Sequence, residues 1–193
     1  MIFANTMAGF PAMSPRFNEQ KATESVAVLL KMGGGTLYHI HAMKLLYIAE
    51  RRALQRWGRS ITWDKFVSMD NGPVLSQTLN LINGSVPNSQ IWDSSISDRA
   101  DHQISLINPE EFAPQALSRA EIKILEESWN EFGHIDRFKL CEMTHDFPEW
   151  QDPHGSSIPI NLRSVLEDAH WTPEEITQIE SEHAQIFASQ QIF

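Results

Sequence analysis

Eight histidines in 193 residues put metal chemistry first among the reactions to weigh. His39 and His41 sit two apart in a stretch of helical periodicity, which turns their rings to different sides, whereas helical ligand pairs sit three or four positions apart. His145-Asp146, with Glu149 and His154, supplies ligand types near a helix end, but the spacing is irregular and no HExxH appears. A histidine near a helix C-terminus has a simpler role in hydrogen bonding or in meeting the dipole, and that structural reading is preferred. His134, His170 and His183 join no constellation.

Nucleophilic chemistry has as little support. Cys141 is the lone cysteine; it has apolar neighbours along its helix and a Lys139 that cannot share its face, so nothing lowers its pKa. Gly33-Gly34-Gly35 is followed by Thr but lacks the Lys-Ser/Thr of a phosphate loop, and neither a GxSxG elbow nor a dinucleotide fingerprint is present. No enzyme activity, cofactor or metal is expected from these residues.

Two groups of cations need another explanation. In "ERRALQRWGR", Arg52 and Arg56 share one helix face, Arg59 follows a turn later, and Trp57 adds a stacking surface. A recognition helix looks like this. Yet the same helix begins with a buried-type pattern, so the preferred reading is a solvated basic end on a core helix. Lys44 interrupts Leu37-Ile40-Ala42-Met43-Leu45-Leu46-Tyr47-Ile48 at its most apolar level. Its ammonium must reach water along the stem or find a carboxylate, Asp70 being one candidate.

The elements that position these residues follow from periodicity and punctuation. Residues 1–16 carry Pro11 and Pro15 and no periodicity, an irregular N-terminal arm. Ala22, Val26, Leu29 and Leu30 predict a first helix that stops at Gly33. Thr36 is the expected N-cap of a long, central second helix closing at Gly58. Thr62 is expected to cap a short helix over Trp63–Met69. Then Asp70-Asn71-Gly72-Pro73-Val74 makes a corner, with Pro73 as first residue of the next helix, so that the corner joins two helices. Residues 89–107, rich in Ser, Asp and β-branched types, predict a small β-hairpin or extended loop. Ser118 with Glu121 is a capping box, Asp136 opens a helix that must end before Pro148, Asn161 to Ala169 is helical, and Thr172-Pro173-Glu174-Glu175 starts a last helix with Ile176, Ile179 and Ile186 on its apolar edge. The expected fold is mainly α, a compact helical domain over 17–160 with acidic helices over 161–193 packed on or extending it.

At this length one core can form without disulfides or metal. A single cysteine predicts a reduced, cytoplasmic setting, and "MIFANTMAGFPAM" lacks the basic start and long apolar core of a signal peptide. No apolar run reaches the length of a membrane span. The formal net charge of −10 opposes broad nucleic-acid binding. Charge is uneven, with seven Lys or Arg between Lys31 and Lys65 and six acids with no Lys or Arg from Ser164 onward. The runs predict either a charged partner for one end or two solvated faces that attract each other weakly.

Lys44-Leu45-Leu46-Tyr47, then Asn71-Gly72-Pro73-Val74, then Leu117-Ser118 with Glu121, then Leu140 to Thr144-His145 and Trp150, resembles in order and spacing the Panacea domain, the SocA-like antitoxin family. The resemblance spans Phe17 to Ile160. Three positions depart from the pattern: Met143 precedes Thr-His where leucine is usual, Glu149 intervenes between Pro148 and Trp150, and Asp70-Asn71 replaces an aromatic. The last two are expected at surface-accessible corners.

The resemblance implies an antitoxin that binds a cognate, often translation-blocking, toxin; some relatives resemble adaptors that deliver the toxin to a Clp-type protease. A partner-binding platform would comprise Lys44, Tyr47, Arg51, Arg52 and Arg56 with the corner residues Asn71, Gly72, Pro73 and Val74. Ser118, Glu121, Thr144, His145 and Trp150 would serve packing. The acidic C-terminal helices are a candidate mimic of RNA against a basic toxin face. Two competing readings are a nucleic-acid-binding regulator acting through Arg51, Arg52, Arg56 and Arg59, and a metal hydrolase built on His145, Asp146 and His154. Assembly of copies into a homo-oligomer stays open.

Overall fold

The computed structural model describes residues 16–189, so the N-terminal arm, Arg16 apart, lies outside the described residues. Helix α1 (Glu19–Met32) starts where the Asn18 side chain accepts from Lys21 N, and stops at Gly33, whose N–H reaches Leu29 O. Its whole middle, Ala22 to Leu30, is buried. Glu24 is buried with it, and its carboxylate accepts the N–H groups of Gln115, Ala116 and Leu117, tying the approach to a later helix onto α1.

The second helix begins later than its periodicity suggests. Thr36 does not cap it: β1 (Thr36–Tyr38) is a strand paired antiparallel with β4 (Gln103–Ser105), and α2 (His39–Trp57) follows from Tyr38 with no side-chain cap. Thr36 and Ser105 hydroxyls meet at 2.8 Å across that pair. As expected, α2 is central, burying Ala42 to Glu50 together with Ala53 and Leu54, and it packs against α1, α5 (Arg119–Phe132), α6 (Arg137–His145) and α7 (Leu162–Asp168).

The expected helix over Trp63–Met69 is instead a loop and a strand, β2 (Phe66–Ser68). Thr62 caps nothing there; its hydroxyl and N–H turn back to Glu50 on α2. The corner joins β2 to β3 (Val74–Leu75), two strands of an antiparallel sheet ordered β3-β2-β5, in which β5 (Ile158–Pro159) closes the other edge. Pro73 therefore precedes a strand, and α3 (Ser76–Ile82) begins three residues on. Its start is capped from a distance: Asp64 accepts Gln77 N at 2.8 Å and Thr78 N at 2.7 Å. Two- and three-residue strands carry too few side chains for alternation to stand out from helical spacing.

The hairpin is narrower than 89–107. Gln90–Ser95 is helix α4, which buries Trp92, while the hairpin runs between the bridged pair Ile96 and Leu106 and turns at Asp101-His102. Both turn residues have positive φ, +50° and +63°, as a two-residue hairpin turn requires.

Helix α5 (Arg119–Phe132) has the predicted capping box, Ser118 accepting from Glu121 N and Glu121 from Ser118 N. Helix α6 (Arg137–His145) opens on Asp136, α7 (Leu162–Asp168) on Asn161, and α8 (Pro173–Ser189) on Thr172. Val165, Leu166, Ile176 and Ile179 join the same core as α1 and α2, whereas Ile186 is exposed. Trp171 Nε1 donates to Gln55 O and His183 Nε2 to Gly58 O, seating the last helix on the end of α2. Mainly helical, with small antiparallel sheets, the described chain matches the expected fold class.

Candidate partner-docking site

Lys44 is the starting point because it is fully buried. It neither snorkels nor meets Asp70, whose carboxylate accepts Gly155 N instead. Lys44 Nζ donates to Pro73 O at 2.7 Å. Burial pushes its pKa down to about 8, with Cys141 acting weakly the other way. An ammonium in the most apolar stretch of α2 thus holds the corner by its backbone.

The corner is gripped from several other sides. Gly72 has φ +89°, and a Cβ built on it would meet Thr144 Oγ1 at 2.5 Å, Lys44 Nζ at 3.0 Å and the His145 ring at 3.2 Å, so only glycine lets the backbone come this close. Trp150 Nε1 donates to Met69 O, and its ring lies 4.2 Å from that of His145. Thr144 donates to Cys141 O within α6. Cys141 is buried, which raises its thiol pKa.

One turn further along α2, Tyr47 donates to Glu149 Oε1 at 2.8 Å. Arg51 engages the same carboxylate with Nε at 2.8 Å and Nη2 at 3.2 Å, and Asp168 with Nη2 at 2.7 Å. The Phe147 ring lies under the Arg51 guanidinium at 4.4 Å and alongside Tyr47. Burial, then Glu149, pushes the Tyr47 phenol well above its ordinary value. Glu149 is therefore interior, a correction to its reading as a surface-accessible change. A further turn on, Glu50 is fully buried, accepting Ile61 N at 2.6 Å, Thr62 N at 2.9 Å and the Thr62 hydroxyl, and burial lifts its carboxyl to about 7.

The basic run of α2 is not free. Arg52 pairs with Glu131 and lies 5.2 Å from the Phe132 ring, while Arg56 pairs with Glu127 at 2.9 Å, both acids on α5. Of the C-terminal acids, Asp168 meets Arg51 and Gln55, and Glu180 meets Arg163.

The structure brings Lys44, Gly72, Pro73, Thr144, His145 and Trp150 into one cluster with Tyr47 and Arg51 beside it. Ser118 and Glu121 lie apart, against Lys21 of α1. Of the nine residues expected to meet a partner, Lys44, Tyr47, Gly72, Pro73 and Val74 are buried and present no open surface. Asn71 and Arg56 are exposed, Arg51 and Arg52 half-buried. His145, Asp146 and His154 do not come together, and among the described residues no group of three His, Cys, Asp or Glu side chains lies as a metal site would. Glu149 and Glu50 are the residues the sequence concealed. Tyr47 and Arg51, four apart on a buried helix, signalled that a shared acceptor was needed.

The family model of the antitoxin SocA-like, Panacea domain matches residues 43–151, from just before Lys44 to just after Trp150. That is more than half of the chain, and the chain belongs to this family. No curated protein and no solved structure matches it. No described helix is long and apolar enough to cross a membrane.

Proposed function

We propose that this chain neutralises a cognate toxin by direct protein–protein binding and performs no bond-making step itself. One observation carries the reading. The family segments converge on a closed interior lock, in which Lys44 binds Pro73 O, Gly72 abuts Thr144 and His145, and Trp150 binds Met69 O. Side chains that a catalyst would turn toward a cleft are occupied in bracing a corner and two helices. A braced platform lowers the ordering cost of association, the property an inhibitor by occlusion needs. Family membership supplies the class of partner.

A nucleic-acid role through Arg51, Arg52, Arg56 and Arg59 has less support, because the first three already bind Glu149 and Asp168, Glu131 and Glu127 respectively. Phosphates would have to displace carboxylates on a chain of net charge −10.

The test is inducible expression of the protein encoded in the adjacent reading frame. Growth arrest that is relieved in proportion to co-expressed antitoxin is the expected result. An adjacent product that arrests growth equally with and without this chain would overturn the reading.

A further inference from the structure

Arg137 differs from its neighbours on the surface. Arg51, Arg52, Arg56 and Arg163 each bind a carboxylate, whereas Arg137 makes no ion pair among the described residues. Its guanidinium instead stacks on two rings, 3.8 Å from the Tyr38 centroid and 4.5 Å from that of Phe138. Rings cover the flat faces of a guanidinium and leave its in-plane N–H edge for a planar acceptor. Asp136, next in sequence, is turned to the Phe138 and Lys139 N–H groups that open α6.

Phe138 itself is 59% exposed, more than any other large apolar side chain among the described residues. Leu140, Cys141 and Thr144 carry the buried face of α6, so Phe138 projects outward from a helix anchored through Thr144 to the Gly72 corner. Next to Tyr38, the His39 and His102 rings stack at 6.0 Å, and Arg99, which donates to the neutral Asn83 Oδ1, lies close enough to act on His39. The result is an exposed ring beside a guanidinium that has no ion pair among the described residues, on an acidic protein. An exposed aromatic ring beside a half-buried, ring-stacked arginine is the composition of a protein–protein hot spot.

We infer that Tyr38, Arg137 and Phe138 form the toxin-docking face, and that the toxin meets it with a carboxylate beside an apolar side chain: the carboxylate binds the Arg137 fork in its plane and the apolar group covers Phe138. This rests on the antitoxin reading above. One fork and one exposed ring match side chains of a protein, whereas a polyanion would face the repulsion of the whole chain.

The experiment is calorimetric titration of the full chain against the purified protein of the adjacent reading frame. Phe138→Ala and Arg137→Lys, which keeps the charge but loses the planar fork, are expected to weaken binding at least about tenfold. Lys123→Ala, an exposed change on α5, is expected to stay within about twofold. Unfolding midpoints of all three should match the parent, since Phe138 is exposed and Lys retains the stem of Arg137. If the parent binds and both α6 variants bind equally well, this face is wrong while the antitoxin reading stands. If the parent neither binds nor relieves growth arrest, both fall. Binding of a single-stranded RNA oligomer that Arg137→Lys abolishes would also overturn the inference, making the face a nucleic-acid site.

Discussion

Tyr47 and Glu149 stand 102 residues apart in the chain and 2.8 Å apart in the structure, phenol to carboxylate, with Arg51 closing the other side of the same acid. This contact joins the central helix to the segment after α6, and so binds the two ends of the family match to each other.

Replacing Glu149 by alanine would break an ion pair whose carboxylate is buried, leaving the Tyr47 hydroxyl without its acceptor and the half-buried Arg51 guanidinium with Asp168 alone. Breaking such a pair costs about 3–5 kcal/mol, and Tyr47→Phe, which removes one charge-assisted bond, about 1.5–3 kcal/mol. Urea unfolding of both single variants and the double variant measures this. Strict additivity would mean that the two groups are not coupled.

Lys44 makes stability depend on pH with a definite sign. An unfolded lysine titrates near 10.5 and Lys44 near 8. Below about 8 both states are protonated and the burial penalty is constant; between the two values the unfolded chain holds more protons, so this group makes stability rise with pH. From about pH 7.5 to about pH 9.5 the parent should gain about 2 kcal/mol relative to Lys44→Met. Parallel pH profiles for the two proteins would contradict the burial of a charged Lys44.

Gly72→Ala sets a Cβ against the Thr144 hydroxyl and the Lys44 ammonium at φ +89°. A loss above about 1 kcal/mol is expected, since backbone strain adds to the steric clash. Asn71→Ala, exposed at the tip, should change stability by less than about 0.5 kcal/mol. Equal, small effects at both positions would mean that the corner is loose.

Much of this was legible in the sequence. Caps at Ser118, Asp136 and Thr172 signal their helices locally, because a side chain bonding two or three residues on leaves its mark in spacing alone. The β2–β3 corner does not show in the sequence, because Pro73 suits a first helical turn and a strand entry equally well. At the site, the sequence singled out Lys44, Gly72, Thr144, His145 and Trp150, and placing them in one cluster took the tertiary structure. Glu149 and Glu50 stayed hidden for a different reason. An acid reads as exposed unless its partners are known, and theirs lie up to 102 residues away.

Arg52 and Arg56 predict a negative result. Their α5 partners leave them little net field, and the Arg56–Glu127 pair is half-exposed, so Arg56→Ala should cost no more than about 0.5 kcal/mol. A mobility-shift assay with duplex DNA and single-stranded RNA at physiological salt should show no retarded band. A band removed by Arg52→Glu and Arg56→Glu would reinstate the regulator.

Native mass spectrometry of this chain mixed with the protein of the adjacent reading frame tests the central claim most directly, because one spectrum reports both assembly and covalent change. A complex whose mass is the sum of its chains, releasing the partner at unaltered mass on denaturation, is the predicted result. A partner silenced at a small fraction of its own concentration, with its mass changed and no complex present, would contradict it.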